Sequence, residues 1–224
     1  MDRQNLFKQA MTKFALGLIA VAALLFIPAG TLRYPNGWRL IIVLFVPMFI
    51  AGLWMLAKRP KLLKKRLNVR EREREQRSVI VMSGVMFLAS FIVAGLNYRF
   101  GWMTVPKWGV HAATFIFLLA YLMYGEVLRE NRYLSRTVEV QPEQRVIDTG
   151  LYGVMRHPMY CATLLMFLSM PLILGSPVSF IIMLAYIPIL AKRIANEERV
   201  LTRGLEGFRE YKQRVRYKVI PYIW

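Results

Sequence analysis

Four long apolar runs, at about Phe14–Pro28, Trp38–Ala57, Val79–Asn97 and Trp108–Leu128, and a fifth over Met159–Ile194, leave this chain few folds to choose from. Crossing a hydrocarbon core roughly 30 Å thick takes about 20 apolar residues in helical form, because lipid offers no partner to a backbone N–H or C=O. The fifth run is interrupted by Leu174-Gly175-Ser176-Pro177, turn chemistry that folds it back as two antiparallel helices. The expected fold is all-α: a polytopic membrane helix bundle of about six transmembrane helices, the last two a helical hairpin. Composition agrees, since 56% hydrophobic and 20% charged residues over 224 positions are too apolar for an ordinary soluble domain. The lipid bilayer is then the first partner.

The formal net charge of +18 invites a nucleic-acid reading, yet 27 of the 31 Lys and Arg fall on one side of the predicted spans. They lie before Phe14, in Lys58–Arg77, in Arg129–Arg156 and from Lys192 onward, whereas the other side holds Arg33, Arg39, Arg99 and Lys107. The positive-inside bias accounts for this pattern with both termini cytoplasmic, as in a bacterial inner membrane, and calls for no nucleic acid. The run Arg70–Arg77 alternates in sign and reads as a solvated helical extension, while Lys58–Arg66 could attract anionic headgroups.

Cysteine and histidine narrow the chemistry. The single Cys161 permits no intramolecular disulfide, and with two histidines, His111 and His157, no histidine metal cluster is expected. The segment Pro28-Ala29-Gly30-Thr31 makes a poor cleavage site, so the first run is expected to be a retained span. With no internal repeat or linker, residues 1–224 are expected to form one integral membrane domain, 1–128 as a four-helix part and 129–224 as the part with the chemistry. No GxxxG spacing marks a helix-pairing face, so the spans specify no oligomeric state.

The chemistry concentrates in Gly150–Tyr160, GLYGVMRHPMY, which puts Tyr152, Arg156, His157 and Tyr160 at a membrane boundary. Ionisable groups there are costly and are usually retained for binding or catalysis. Pro158 suits the first turn of the following helix, which leaves His157 at the helix entrance. Anchoring of Arg156 and the tyrosines at the interface would be the bland alternative. The second cluster is Arg193-Ile194-Ala195-Asn196-Glu197-Glu198, where i,i+4 spacing puts Arg193 and Glu197 on one helical face. A hairpin turning at Gly175–Pro177 returns that face beside His157–Tyr160, so the two clusters converge at one depth.

The order G-x-Y-x-x-x-R-H-P-x-Y, a membrane hairpin, R-x-x-x-E-E and a tail with Phe208, Tyr211 and VIPYIW resembles the isoprenylcysteine carboxyl methyltransferase family over about Thr137–Trp224. The resemblance implies an S-adenosyl-L-methionine site closed by the last helices and the cytoplasmic C-terminal segment. It implies Gln144, Arg145, Val146 and Ile147 along the adenosine, Tyr152 near the cofactor, and His157, Pro158, Met159 and Tyr160 around its methionine part. Glu197 would hold the cofactor's amino group and Arg193 would face the acceptor carboxylate, so His157, Arg193 and Glu197 are the expected catalytic residues. The stretch Thr137–Ile147 departs most from the family pattern. No metal is required.

The acceptor is expected to be a lipophilic or small molecule, foremost a carboxylate, which is already ionised and needs no base. For an amine or a thiol, as in a phospholipid N-methyltransferase or a small-thiol S-methyltransferase, Glu198 or His157 would be the available base. RHPMY and the ending VRYKVIPYIW also resemble NADPH-dependent sterol-type reductases. A transporter or scaffold is disfavoured, because few charged groups sit at mid-membrane depth and a scaffold would not need convergent Arg, His and Glu.

Overall fold

The computed structural model describes residues 3–67, 74–134 and 140–224. Residues 70–73 of the alternating run, and 137–139 at the start of the resemblance, lie outside them. The described elements are helices joined by turns: α1 Arg3–Ala29, α2 Pro35–Lys58, α3 Pro60–Leu67, α4 Arg74–Phe100, α5 Lys107–Glu130, α6 Pro158–Ile173, α7 Pro177–Met183, α8 Tyr186–Gly204 and α9 Phe208–Arg214, with a 3-10 turn at Gly150–Gly153. Among the described residues five stretches are long and apolar enough to cross a membrane: Gln4–Ala29, Pro35–Lys58, Arg77–Phe100, Lys107–Glu130 and Pro177–Gly204. The chain is an integral membrane protein.

The sixth apolar helix, α6, has 16 residues. At 1.5 Å per residue it is about 24 Å long, short of the roughly 30 Å hydrocarbon core. The hairpin's second arm is one kinked span, α7 followed by α8. Pro188 causes the kink, since it has no N–H to give the Leu184 carbonyl, which instead accepts from Ile187 N at 3.0 Å.

One apolar cluster draws on α1, α2, α4, α5 and α6 through Leu25, Leu40, Ala94, Phe117 and Ile173, all fully buried. Helices α1 and α4 approach closely because Gly95 has no side chain: a Cβ there would lie 2.6 Å from the Leu25 carbonyl oxygen. At the hairpin turn Tyr34 Oη donates to the Leu174 carbonyl at 2.6 Å, and Val105 N donates to the Gly175 carbonyl at 3.2 Å. Both neighbouring loops thus fasten the turn. Deeper in the bundle Ser90 and Ser179 satisfy each other, Oγ to Oγ at 2.7 Å, which joins α4 to α7 without leaving a hydroxyl unpaired in an apolar slab. The hairpin is held from three sides, and this fixes where its free ends meet.

Candidate active site

The convergence expected from the two motifs is present. Tyr160, in the first turn of α6, donates its hydroxyl to Glu197 of α8, and Arg193 Nε donates to the same hydroxyl at 2.8 Å. The Arg193 guanidinium also lies over the Tyr160 ring, 5.8 Å from its centroid. One buried phenol therefore links the two members of the i,i+4 pair. The His157 ring stacks beside Tyr160 at 5.5 Å between centroids, with Nδ1 4.0 Å from Glu197 Oε1.

These groups open on a cavity. Its walls include Gln144, Arg145, Val146 and Ile147 from the loop, Tyr152, His157, Met159 and Tyr160 from the motif, and Arg193 and Glu197 from α8. Pro158 does not line it: as the first residue of α6 it is buried behind His157 and Met159, where its missing N–H leaves nothing unpaired.

Asn131, Tyr133, Leu134, Arg156, Leu201, Leu205, Phe208 and Tyr211 complete the walls. None was among the cofactor positions expected from sequence. Leu201 and Leu205 continue the Arg193–Glu197 face by steps of four, a signal that helical periodicity carried. Asn131 gives Nδ2 to the Tyr152 hydroxyl at 2.9 Å, and Tyr211 gives its hydroxyl to the Tyr152 carbonyl at 2.8 Å, so the cavity floor is tied to both flanking segments. Burial raises the Tyr152 and Tyr211 hydroxyls well above the usual tyrosine range, which keeps both protonated.

Arg156 is not an interfacial anchor. It is buried, its Nε donates to Glu198 Oε1 at 2.8 Å, and its Nη1 donates to the carbonyls of Val215 at 2.7 Å and Arg216 at 2.8 Å. His157 Nε2 donates to the same Glu198 oxygen at 3.2 Å, while Lys212 Nζ lies 3.1 Å from Oε2. Backbone amides of Arg156 and His157 donate to the carbonyls of Tyr217 and Lys218. The tail is thereby strapped across the motif. Glu198 is engaged by Arg156, His157 and Lys212 and is not among the residues lining the cavity. Its bond to Nε2 leaves Nδ1 as the imidazole nitrogen turned toward Glu197.

Local backbone explains the placement of Tyr152. Gly150 has φ +50°, a conformation that favours glycine, and a Cβ on it would meet Glu130 Oε1 at 2.5 Å, so another residue there is strained and must displace the Glu130 carboxylate from beside the 3-10 turn. Thr149 Oγ1 donates to the same oxygen at 2.7 Å.

The cavity wall combines the Glu197 carboxylate, the Arg193 guanidinium and the His157 imidazole with the apolar surfaces of Leu201, Leu205 and Phe208. Residues 111–203 match the family model described as isoprenylcysteine carboxyl methyltransferase. A 91-residue stretch is 30% identical to the mouse (Mus musculus) Delta(14)-sterol reductase TM7SF2, covering 39% of this chain and 22% of that protein.

Proposed function

We propose, from the match of residues 111–203 to the isoprenylcysteine carboxyl methyltransferase family model, that this chain is an S-adenosyl-L-methionine-dependent methyltransferase acting on a lipophilic or small carboxylate, with its site toward the cytoplasm. The observation that carries the reading is the Tyr160-bridged pair of Glu197 and Arg193 at the mouth of an amphipathic cavity.

The residues present fit the cofactor. Glu197 offers a carboxylate to its amino group, the loop around Gln144–Ile147 offers backbone groups to its adenosine, and Phe208, Leu201 and Leu205 offer apolar surface to its ring. When bound, S-adenosyl-L-methionine supplies a methyl group on a positively charged sulfur that departs as a neutral thioether. The protein's part is to hold, orient and keep water away. Arg193, fixed by Tyr160, presents a planar fork to a carboxylate and sets its direction of approach. Apolar walls desolvate both partners, which favours a displacement in which opposite charges are lost.

A carboxylate acceptor gives up no proton, and this agrees with the commitment of Glu198 to Arg156, His157 and Lys212. For an amine or thiol acceptor, His157 Nδ1 is the nearer candidate base, since Nε2 is occupied by Glu198. The identity shared with a sterol reductase supports a second reading, a nicotinamide-dependent reductase using the arginines of the same cavity.

The test is product analysis with methyl-labelled donor, the purified protein in lipid, and separate lipophilic carboxylate, amine and thiol acceptors. The proposal expects a base-labile labelled ester. Labelled amine or thioether would overturn the acceptor assignment, and oxidation of NADPH without methyl transfer would overturn the reaction class.

A further inference from the structure

A second charged surface lies away from the cavity, where α2 ends. Residues 58–66 hold six Lys and Arg and no acid. The chain bends at Arg59 and immediately forms α3, whose sequence PKLLKKRL puts Leu62 and Leu63 on one face and Lys61 and Lys64 on the other. Leu62 and Leu63 are buried in an apolar cluster with Leu6, Met55, Val127, Leu128 and Tyr152. Helix α3 therefore has its apolar face already occupied by the protein, and it lies across the ends of the spanning helices.

The cations divide into two groups. Arg59 donates Nη1 to the carbonyls of Leu128 and Arg129 at 3.2 Å, which caps the end of α5, and it lies 5.5 Å over the Trp54 ring. Arg66 sits 5.3 Å over Tyr124, and Lys13 Nζ donates to the Leu67 carbonyl at 2.5 Å. Those three fasten the elbow. Lys58, Lys61 and Lys64 are exposed, and no carboxylate among the described residues pairs with them. Trp54, one turn before Lys58 and 43% exposed, marks headgroup depth.

We propose that Lys58, Lys61 and Lys64, presented by the α2–α3 elbow at the depth marked by Trp54, form a binding surface for the headgroups of anionic phospholipids. Three ammonium groups with no counter-ion among the described residues, at the level where lipid phosphates lie, are complementary to a leaflet carrying net negative charge. Each lysine near such a surface contributes on the order of fivefold in affinity. The Leu62–Leu63 face shares its cluster with Tyr152, so a leaflet-held α3 also braces the cavity rim.

The experiment uses the full chain and no methyl-transfer assay, so its outcome is independent of the proposed reaction. Protein is reconstituted with equal phosphatidylglycerol and phosphatidylcholine, and the lipid retained after delipidation is counted by native mass spectrometry. Wild type is compared with K58Q/K61Q/K64Q and with R203Q/R209Q/R216Q, a control that removes three exposed cations elsewhere. We expect phosphatidylglycerol preference in wild type and the control, reduced at least tenfold in the elbow variant. Equal preference in the elbow variant, or an equal loss in the control, would overturn the proposal. Thermal melting of both variants within a few degrees of wild type excludes misfolding, and the charge reversal K58E/K61E/K64E must then disfavour phosphatidylglycerol below phosphatidylcholine.

Discussion

Replacing Tyr160 by phenylalanine isolates the contact on which the site's geometry turns. The ring is 4% exposed and would stay packed, so the substitution removes only the hydroxyl that donates to Glu197 and accepts from Arg193. Hydrogen bonds to charged partners contribute about 1.5–3 kcal/mol each. The two losses do not simply add, because Arg193 and Glu197 are four residues apart on α8 and can turn toward each other once the phenol has gone. That rearrangement recovers part of the lost interaction but redirects both groups away from the cavity. A net cost of about 1.5–3 kcal/mol corresponds to roughly a ten- to hundredfold weaker hold on S-adenosyl-L-methionine. Calorimetric titration of purified protein measures it, with thermal melting as the control for folding. Affinity within about twofold of wild type, in a variant that melts normally, would refute the bridge as the organiser of the site.

Three further outcomes follow from the same geometry. Arg156→Ala leaves buried Glu198 with only His157 and Lys212 and frees two tail carbonyls; a loss of about 3 kcal/mol, the low end for a broken buried ion pair because Lys212 still faces the carboxylate, is expected, read as a lower melting temperature and as proteolytic cleavage within 215–220. Gly150→Ala must place a methyl group against Glu130 at a positive φ, so it should destabilise by more than about 1 kcal/mol and weaken cofactor binding through displaced Tyr152. Burial raises the Tyr152 and Tyr211 hydroxyls above their unfolded values; above about pH 10 the unfolded chain ionises while the folded one stays protonated. Stability should fall as pH rises from there, and Tyr211→Phe should flatten that slope in denaturation curves at pH 9 to 11.

Much of this architecture was written in the residues at long range. Four runs of 15 to 21 mostly apolar positions and the Gly175–Pro177 turn fix the spans and the hairpin, because lipid offers an open backbone no hydrogen-bond partner. The meeting of Tyr160 with Arg193 and Glu197 follows from hairpin symmetry and the i,i+4 spacing. Division of labour between Glu197 and Glu198 was less legible, since adjacent residues on a helix point about 100° apart and sequence alone does not say which one meets the tail. The destination of Arg156 was hidden for a related reason: its partners, the carbonyls of Val215 and Arg216, are backbone groups without any side-chain signature. Nor did the apolar runs reveal that α6 would be shorter than the hydrocarbon core, because Pro158 and the Leu174 turn limit it from both ends.

The most direct test of the central claim, that Glu197 and its neighbours form a cofactor site for methyl transfer, is parallel titration of the lipid-reconstituted protein with S-adenosyl-L-methionine and with NADPH, in wild type and Glu197→Ala. Saturable binding of S-adenosyl-L-methionine by wild type, at least tenfold weaker in a normally folded Glu197→Ala variant and with no NADPH binding, is the predicted result. Binding of NADPH alone, or S-adenosyl-L-methionine affinity indifferent to Glu197, would contradict it.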